Sequence, residues 1–286
     1  VPGTENFFVG TVCCHNTWAK WSYVLKAEGV LKAPVLGVCH APINTMYQQL
    51  PPVDKPCIIC ISKDQANHFQ GLFGKEARVA YNGIDLDFYQ PLNLPRSNRF
   101  LFLARFSSIK GPDLAIEACL HAGVGLDLVG DTSITNEPEL YEKCRKMADG
   151  KQIRIIGNQP RGNCVWWFSQ AKALIHPNKL FREPFGLAPV ESMACECPVI
   201  AFDYGAMRET IKTGPVSEAT GQLVGTVEEL TKAIRYASFA VPEWDGEHLT
   251  EVWRKNCREQ AAKFTVDRMV QRYHELCIEA CDSGGW

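Results

Sequence analysis

The sequence predicts an α/β protein with parallel sheets in two successive blocks, and three observations point there. Short apolar runs alternate along the chain with segments of helical period. The runs are apolar on both faces, as parallel strands are when helices cover them on each side. A polar, proline-bearing stretch, Pro91-Leu92-Asn93-Leu94-Pro95-Arg96-Ser97-Asn98, separates the first block from the second.

In the first block the runs Phe7 to Cys13, Pro34 to Cys39, Cys57 to Ile61 and Ala77 to Tyr81 read as strands, with helices over Trp18 to Glu28 and Lys63 to Phe73. The second block opens with the strand Arg99 to Ala104. It continues with strands at Leu126 to Val129, Ile153 to Ile156, Ala173 to His176 and Pro198 to Ala201. Helices are expected near Pro112 to Ala122, Glu137 to Asp149, Asn163 to Ser169 and Ala188 to Ala194. This is the doubly wound pattern, in which ligands bind beyond the carboxyl ends of the strands. A last amphipathic helix from about Val266 to Ala280 carries Val266, Met269, Val270, Tyr273 and Cys277 at helical spacing, so it packs on another element. The domain reading is 1–92, 93–262 and a C-terminal helix in 263–286 that packs back toward the first block.

A chain of 286 residues that is 46% hydrophobic can bury the core of one large or two modest domains. A formal charge of −2 leaves no electrostatic footprint for nucleic acid or an acidic membrane surface. No run approaches the roughly 18 apolar residues of a membrane span, and Val1-Pro2-Gly3-Thr4-Glu5-Asn6 lacks a signal-peptide pattern. Most of the 13 cysteines sit inside apolar runs, where free cysteine buries as a small hydrophobe, and this favours a reducing cytoplasm. Cys57 and Cys60 have C-x-x-C spacing but lie in a strand-like run without a second pair, so they are read as structural. The expectation is a cytoplasmic protein, or one peripheral to a membrane.

Two segments carry chemistry. In Phe181-Arg182-Glu183-Pro184-Phe185-Gly186-Leu187-Ala188-Pro189-Val190-Glu191, two carboxylates flank a loop-to-helix junction at which Gly186 frees the backbone. The amides of Phe185, Gly186 and Leu187 can then face an anion at the positive end of a helix. Glu183 is expected at the mouth of the site. Carboxylates beside an anion site make sense if they accept hydrogen bonds from hydroxyls, so a hydroxyl-rich, phosphate-bearing ligand meets both demands. The second segment, Ala104-Arg105-Phe106-Ser107-Ser108-Ile109-Lys110-Gly111, follows the first strand of the second block. Arg105 and Lys110 would grip a diphosphate there, whereas taken alone they read as a solvated basic loop.

At these residues the chain resembles the retaining glycosyltransferases of family 4, glycosyl transferases group 1, of GT-B architecture. The resemblance rests on Arg105 and Lys110-Gly111, on Ile156-Gly157, and on Glu183-Pro184-Phe185-Gly186-Leu187 through Glu191. Pro198-Val199-Ile200-Ala201, Gly205 to Glu209, Gly221-Gln222-Leu223-Val224 and the linker entry Tyr81-Asn82-Gly83-Ile84-Asp85 extend it. It implies two Rossmann-like doubly wound parallel-sheet domains, the N-terminal one incomplete because the chain starts near the middle of that domain and lacks its glycine-rich loop. A fragment, a natural short form, or a homo-oligomer or partner subunit that completes the sheet would each account for this.

The resemblance further implies a nucleotide-diphosphate sugar as donor and a hydroxyl acceptor, whether glycan, lipid or small molecule, with no cofactor and no metal. Arg105 and Lys110 would bind the diphosphate, Glu191 the ribose, Glu183 the transferred sugar, and the backbone at Ile156 and Gly157 the base. His40 would face the sugar across the cleft, and His15-Asn16-Thr17-Trp18 would border the acceptor. Asp85-Leu86-Asp87, the D-x-D triplet, lies at the linker and is read as a solvated turn. A sugar-nucleotide epimerase of the same fold and a non-catalytic or partner-dependent nucleotide-sugar-binding module remain as alternatives. A nicotinamide oxidoreductase is disfavoured, because Gly123-Val124-Gly125 lacks a third glycine and precedes a strand.

Overall fold

A computed structural model of the 286-residue chain describes residues 16–31, 33–41, 43, 56–132, 136–178, 180–238 and 249–286. The expected strand Phe7 to Cys13 and residue His15 lie outside them. The described residues form two compact units, 1–83 with 266–286, and 84–265.

The first unit holds a parallel sheet in the order β1 (Gly37–Cys39), β2 (Ile58–Cys60), β3 (Arg78–Val79). Helices α1 (Asn16–Ala27) and α2 (Lys63–Phe73) connect with it, and Tyr23, Val35, Ile58 and Phe69 are buried together in its core. α2 keeps its expected limits for a local reason. Ser62 Oγ accepts the Gln65 amide at 3.0 Å, and Gly74 takes the left-handed conformation that ends the helix. Cys57 and Cys60 are both buried in this sheet, and none of the described cysteines is in a disulfide.

The last helix of the chain, α10 (Val266–Ser283), belongs to this same unit. Its Glu279 pairs with Arg78 at 2.8 Å, and Arg272 Nε donates to the Val79 carbonyl at 3.1 Å. The Trp286 indole donates to the Ile58 carbonyl at 3.4 Å.

The second unit is a six-stranded parallel sheet in the order β6-β5-β4-β7-β8-β9. The strands are β4 (Phe100–Leu103), β5 (Leu126–Val129), β6 (Ile153–Gly157), β7 (Leu174–His176), β8 (Val199–Phe202) and β9 (Gly221–Val224). Their buried faces carry Phe100, Phe102, Leu128, Ile153 and Ile200 into one core. The intervening helices are α3 (Pro112–Ala122), α4 (Pro138–Met147), α5 (Arg161–Gln170), α6 (Leu187–Ala194), α7 (Met207–Thr210), α8 (Val227–Ser238) and α9 (Leu249–Ala261). The sequence reading assigned no helix between Ala201 and Val266, where α7 to α9 lie, and knew β9 only as a motif.

From β4 the chain winds outward through β5 and β6, then returns to place β7 against the other side of β4. Strand order reverses between β4 and β7, the place beyond whose carboxyl ends doubly wound sheets bind ligands. The units divide after Gly83, upstream of the expected proline-bearing linker. Ile84 bridges to Thr265 and its amide donates to the Phe264 carbonyl at 2.9 Å, so the segment leading to Tyr89 is part of unit 2. No described helix is long and apolar enough to cross a membrane.

Candidate functional site

The reversal of strand order brings together the two segments singled out in the sequence. The loop after β4 curls tightly, with the Ser107 carbonyl accepting the amides of Lys110 at 2.9 Å and Gly111 at 3.1 Å before α3 begins with Pro112 in its first turn. Past β7, the described residues 180–186 deliver Glu183 ahead of α6. Lys110 Nζ donates to Glu183 Oε2 at 2.5 Å, and the ammonium also lies 5.0 Å from the centre of the Phe181 ring.

Glu183 does not stand at the mouth of the site as the sequence suggested. It is 7% exposed. Asn178 Nδ2 donates to the oxygen that Lys110 holds, and His176 Nε2 faces that oxygen from 3.7 Å, too far for a hydrogen bond. Burial would raise the carboxyl, but His176 and the Lys110 ammonium outweigh it and hold it at about 2. Burial lowers His176 below its ordinary value and the Lys110 cation adds to this, while Glu183 opposes both. Glu183 Oε1 has no hydrogen-bond partner among the described residues and remains available to a ligand hydroxyl. A close approach fixes the backbone here: Ala206 N donates to the Glu183 carbonyl at 2.9 Å, and a Cβ on Gly205 would lie 2.3 Å from that same oxygen.

Three residues on, Gly186 has φ +85° and starts α6 with no side chain capping its amides. The first-turn N–H groups therefore point out of the helix end unpaired by side chains, as an anion requires. Phe185 is buried edge-on to Phe264, with ring centres 5.5 Å apart, and anchors this junction. Leu187 is exposed.

Arg105 is exposed just past β4 and has no ion pair or hydrogen bond to its side chain among the described residues. Ile156 and Gly157 end β6 at the same carboxyl edge, where the Gly157 carbonyl accepts the Gly130 amide at 3.1 Å. Glu191, in the second turn of α6, receives a hydrogen bond from the Tyr89 hydroxyl at 2.6 Å. His40 is exposed in unit 1 directly after β1. Asp85 to Asp87 form the expected solvated turn, with Asp85 Oδ1 accepting the amides of Asp87 at 2.9 Å and Phe88 at 3.0 Å.

The sequence reading missed His176, Asn178, Tyr89 and Arg161 as members of the site. His176 ends the expected strand and Pro177-Asn178 directly follow it, so their place at the carboxyl edge was the available signal. Tyr89 gave none.

A doubly wound sheet with paired cations, recessed carboxylates and a free helix start at its switch point is the arrangement of a protein that binds a phosphorylated, hydroxyl-rich ligand. The glycosyl transferases group 1 family matches residues 87–238, and the chain belongs to that family. D-inositol 3-phosphate glycosyltransferase 1 of Catenulispora acidiphila is 25% identical over 252 residues, covering 79% of this chain. The chain spans 58% of that relative's length. Among solved structures, Anabaena HepE in complex with UDP superposes with a TM-score of 0.77 at 17% identity, covering 95% of this chain and 79% of that one. Sucrose-phosphate synthase from Thermosynechococcus elongatus gives 0.71 at 21% identity, covering 92% and 72%. These likenesses show the GT-B fold.

Proposed function

We propose that the chain acts as a retaining, metal-independent glycosyltransferase of family 4. It moves a sugar from a nucleoside diphosphate sugar to a hydroxyl acceptor with the anomeric configuration kept. The observation that carries this reading is the Lys110–Glu183 ion pair at the strand-order reversal, beside the open start of α6. The donor's diphosphate takes Lys110, Arg105 and the α6 amides as partners. The bond from the anomeric carbon to the diphosphate breaks as the acceptor oxygen bonds to that carbon and passes its proton to the departing phosphate, whose negative charge meets groups already in place, an electrostatic contribution of about 3–4 kcal/mol for a single well-placed donor. Glu183 Oε1 receives the sugar's hydroxyls, Glu191 the ribose, and the backbone at Ile156 and Gly157 the base. His40 is the further residue assigned to catalysis.

The donor's nucleotide is first sought in UDP, since HepE has been solved with UDP and with UDP-glucose. The name of the Catenulispora relative makes inositol 3-phosphate the first acceptor to try. The buried, unbridged cysteines favour the cytoplasm as the place of reaction. The test is UDP release from UDP-glucose with and without acceptor, in the presence of EDTA, with the product's anomeric configuration read by NMR. Acceptor-dependent release with retention is expected. Conversion of the donor to another sugar nucleotide without acceptor would establish an epimerase, and donor binding without turnover a binding module.

A further inference from the structure

We propose that Tyr89 is a positioning residue for Glu191, holding one carboxylate oxygen so that the other is presented to the ribose diol of the donor. This rests on the nucleotide reading of the site given above. Tyr89 is buried, and its hydroxyl is committed in direction. Arg161 Nε donates to it at 3.1 Å and occupies a lone pair, so the phenol proton goes to Glu191 Oε1, 2.6 Å away. Arg161 itself is held over the rings of Phe88 and Tyr89, with its guanidinium carbon 5.4 and 5.6 Å from their centres. Glu191 Oε2 has no hydrogen-bond partner among the described residues. A carboxylate with one oxygen anchored and one open can accept a hydroxyl without first giving up a rotamer.

The backbone makes this a fixed distance. Arg258 of α9 donates from Nη1 to the Tyr89 carbonyl at 2.9 Å and to the Ala194 carbonyl at the end of α6 at 2.7 Å. Its Nη2 reaches the Leu86 carbonyl at 3.1 Å. One guanidinium thus ties the Leu86–Tyr89 segment to the helix that carries Glu191. Burial pushes the Glu191 carboxyl up, and the Tyr89 hydrogen bond and Arg161 oppose it. The groups facing it are Tyr89, Arg161 and Cys164 of α5, and Cys195 at the end of α6.

The experiment compares UDP, GDP and ADP, each beside its 2′,3′-dideoxy analogue, on wild type and Tyr89→Phe by calorimetry. In the wild type, removal of both ribose hydroxyls from the diphosphate that binds should weaken it about tenfold or more. In Tyr89→Phe that ratio should fall to within about threefold, because the ribo form loses affinity while the dideoxy form does not. General damage to the fold would lower both ligands alike and leave the ratio intact. The acid limb of affinity should also move to higher pH in Tyr89→Phe, as the carboxyl loses the phenol proton. A ratio unchanged by Tyr89→Phe overturns the positioning role and leaves the nucleotide reading standing. Equal binding of both forms by the wild type, or no binding of any of the three diphosphates, overturns the role of Glu191 and this proposal with it.

Discussion

Lys110 Nζ and Glu183 Oε2 lie 2.5 Å apart, joining the loop after β4 to the loop after β7 across the reversal of strand order. The pair has a double character. In the structure it satisfies two recessed charges, and in the proposed complex Lys110 is shared with a diphosphate.

Lys110→Met should therefore destabilise the fold as well as weaken nucleotide binding. Stripping a recessed carboxylate of its cation costs about 3 kcal/mol. The double variant Lys110→Met with Glu183→Gln should recover most of that stability in urea denaturation, because no uncompensated charge remains. A single variant as stable as wild type would show that Asn178 alone satisfies Glu183.

Arg105→Ala should separate binding from stability. The side chain is exposed and unpaired among the described residues, so unfolding free energy should change by less than about 0.5 kcal/mol. Loss of one charge-assisted contact should lower nucleoside diphosphate affinity by about 1.5–3 kcal/mol. Equal affinities by calorimetry would remove Arg105 from the site.

The cluster predicts acid sensitivity with a definite sign. The folded Glu183 carboxyl is held at about 2 against an ordinary 4.5, so its contribution is present above 4.5 and is lost as pH falls toward 2. His176 is also lowered, from an ordinary 6.5. Below 6.5 the unfolded chain therefore takes up a proton that the folded site refuses, and stability declines by up to about 1.4 kcal/mol per pH unit. In melting curves, His176→Gln should flatten the decline just below pH 6.5 and lessen the one below 4.5 without abolishing it, since Lys110 still holds the Glu183 carboxyl down.

Gly205→Ala should damage the site from behind. The new Cβ would meet the backbone of Glu183 at 2.3 Å from its oxygen and 2.6 Å from its nitrogen, and φ is +72°. Overpacking costs roughly 1–3 kcal/mol and the left-handed backbone about 1–2 more. Sugar-nucleotide turnover should fall further than free nucleotide binding, since Glu183 moves while α6 keeps its start.

His40→Ala should leave nucleotide affinity at the wild-type value and lower transfer by about tenfold or more, the effect of one lost hydrogen bond to the reacting sugar. Loss of nucleotide affinity would place His40 in a different role.

Much of this architecture was legible because its signals are local. Runs such as Phe100 to Leu103 and Val199 to Phe202 are buried on both faces and read as such. Ser62 and Gly74 bound α2, and Pro112 and Gly123 bound α3, at the limits expected. Lys110 and Glu183 could be placed at one sheet edge from sequence because both follow strands of the second block, but their ion pair was not foreseen. Nor was the burial of Glu183, since it depends on Asn178 and His176 arriving from the end of β7. Tyr89 reaches a residue 102 positions away, and no periodicity encodes that contact. α7 is a single turn, too short for helical period to register, and β9 opens with a glycine where its Cβ would strike the Val199 carbonyl.

The membership of α10 in the first unit imposes an order of assembly on the nascent chain. Residues 84–265 form one uninterrupted stretch, whereas the other unit needs a helix synthesised after that stretch. With translation adding roughly 5–20 residues per second, the six-stranded unit has all its residues before Val266 is made. Through that interval Arg78 lacks Glu279, and the Val79 and Ile58 carbonyls lack the donors from Arg272 and Trp286. The first unit therefore passes through a stage in which these groups wait for α10, and the pairing is made only after the six-stranded unit is complete in sequence.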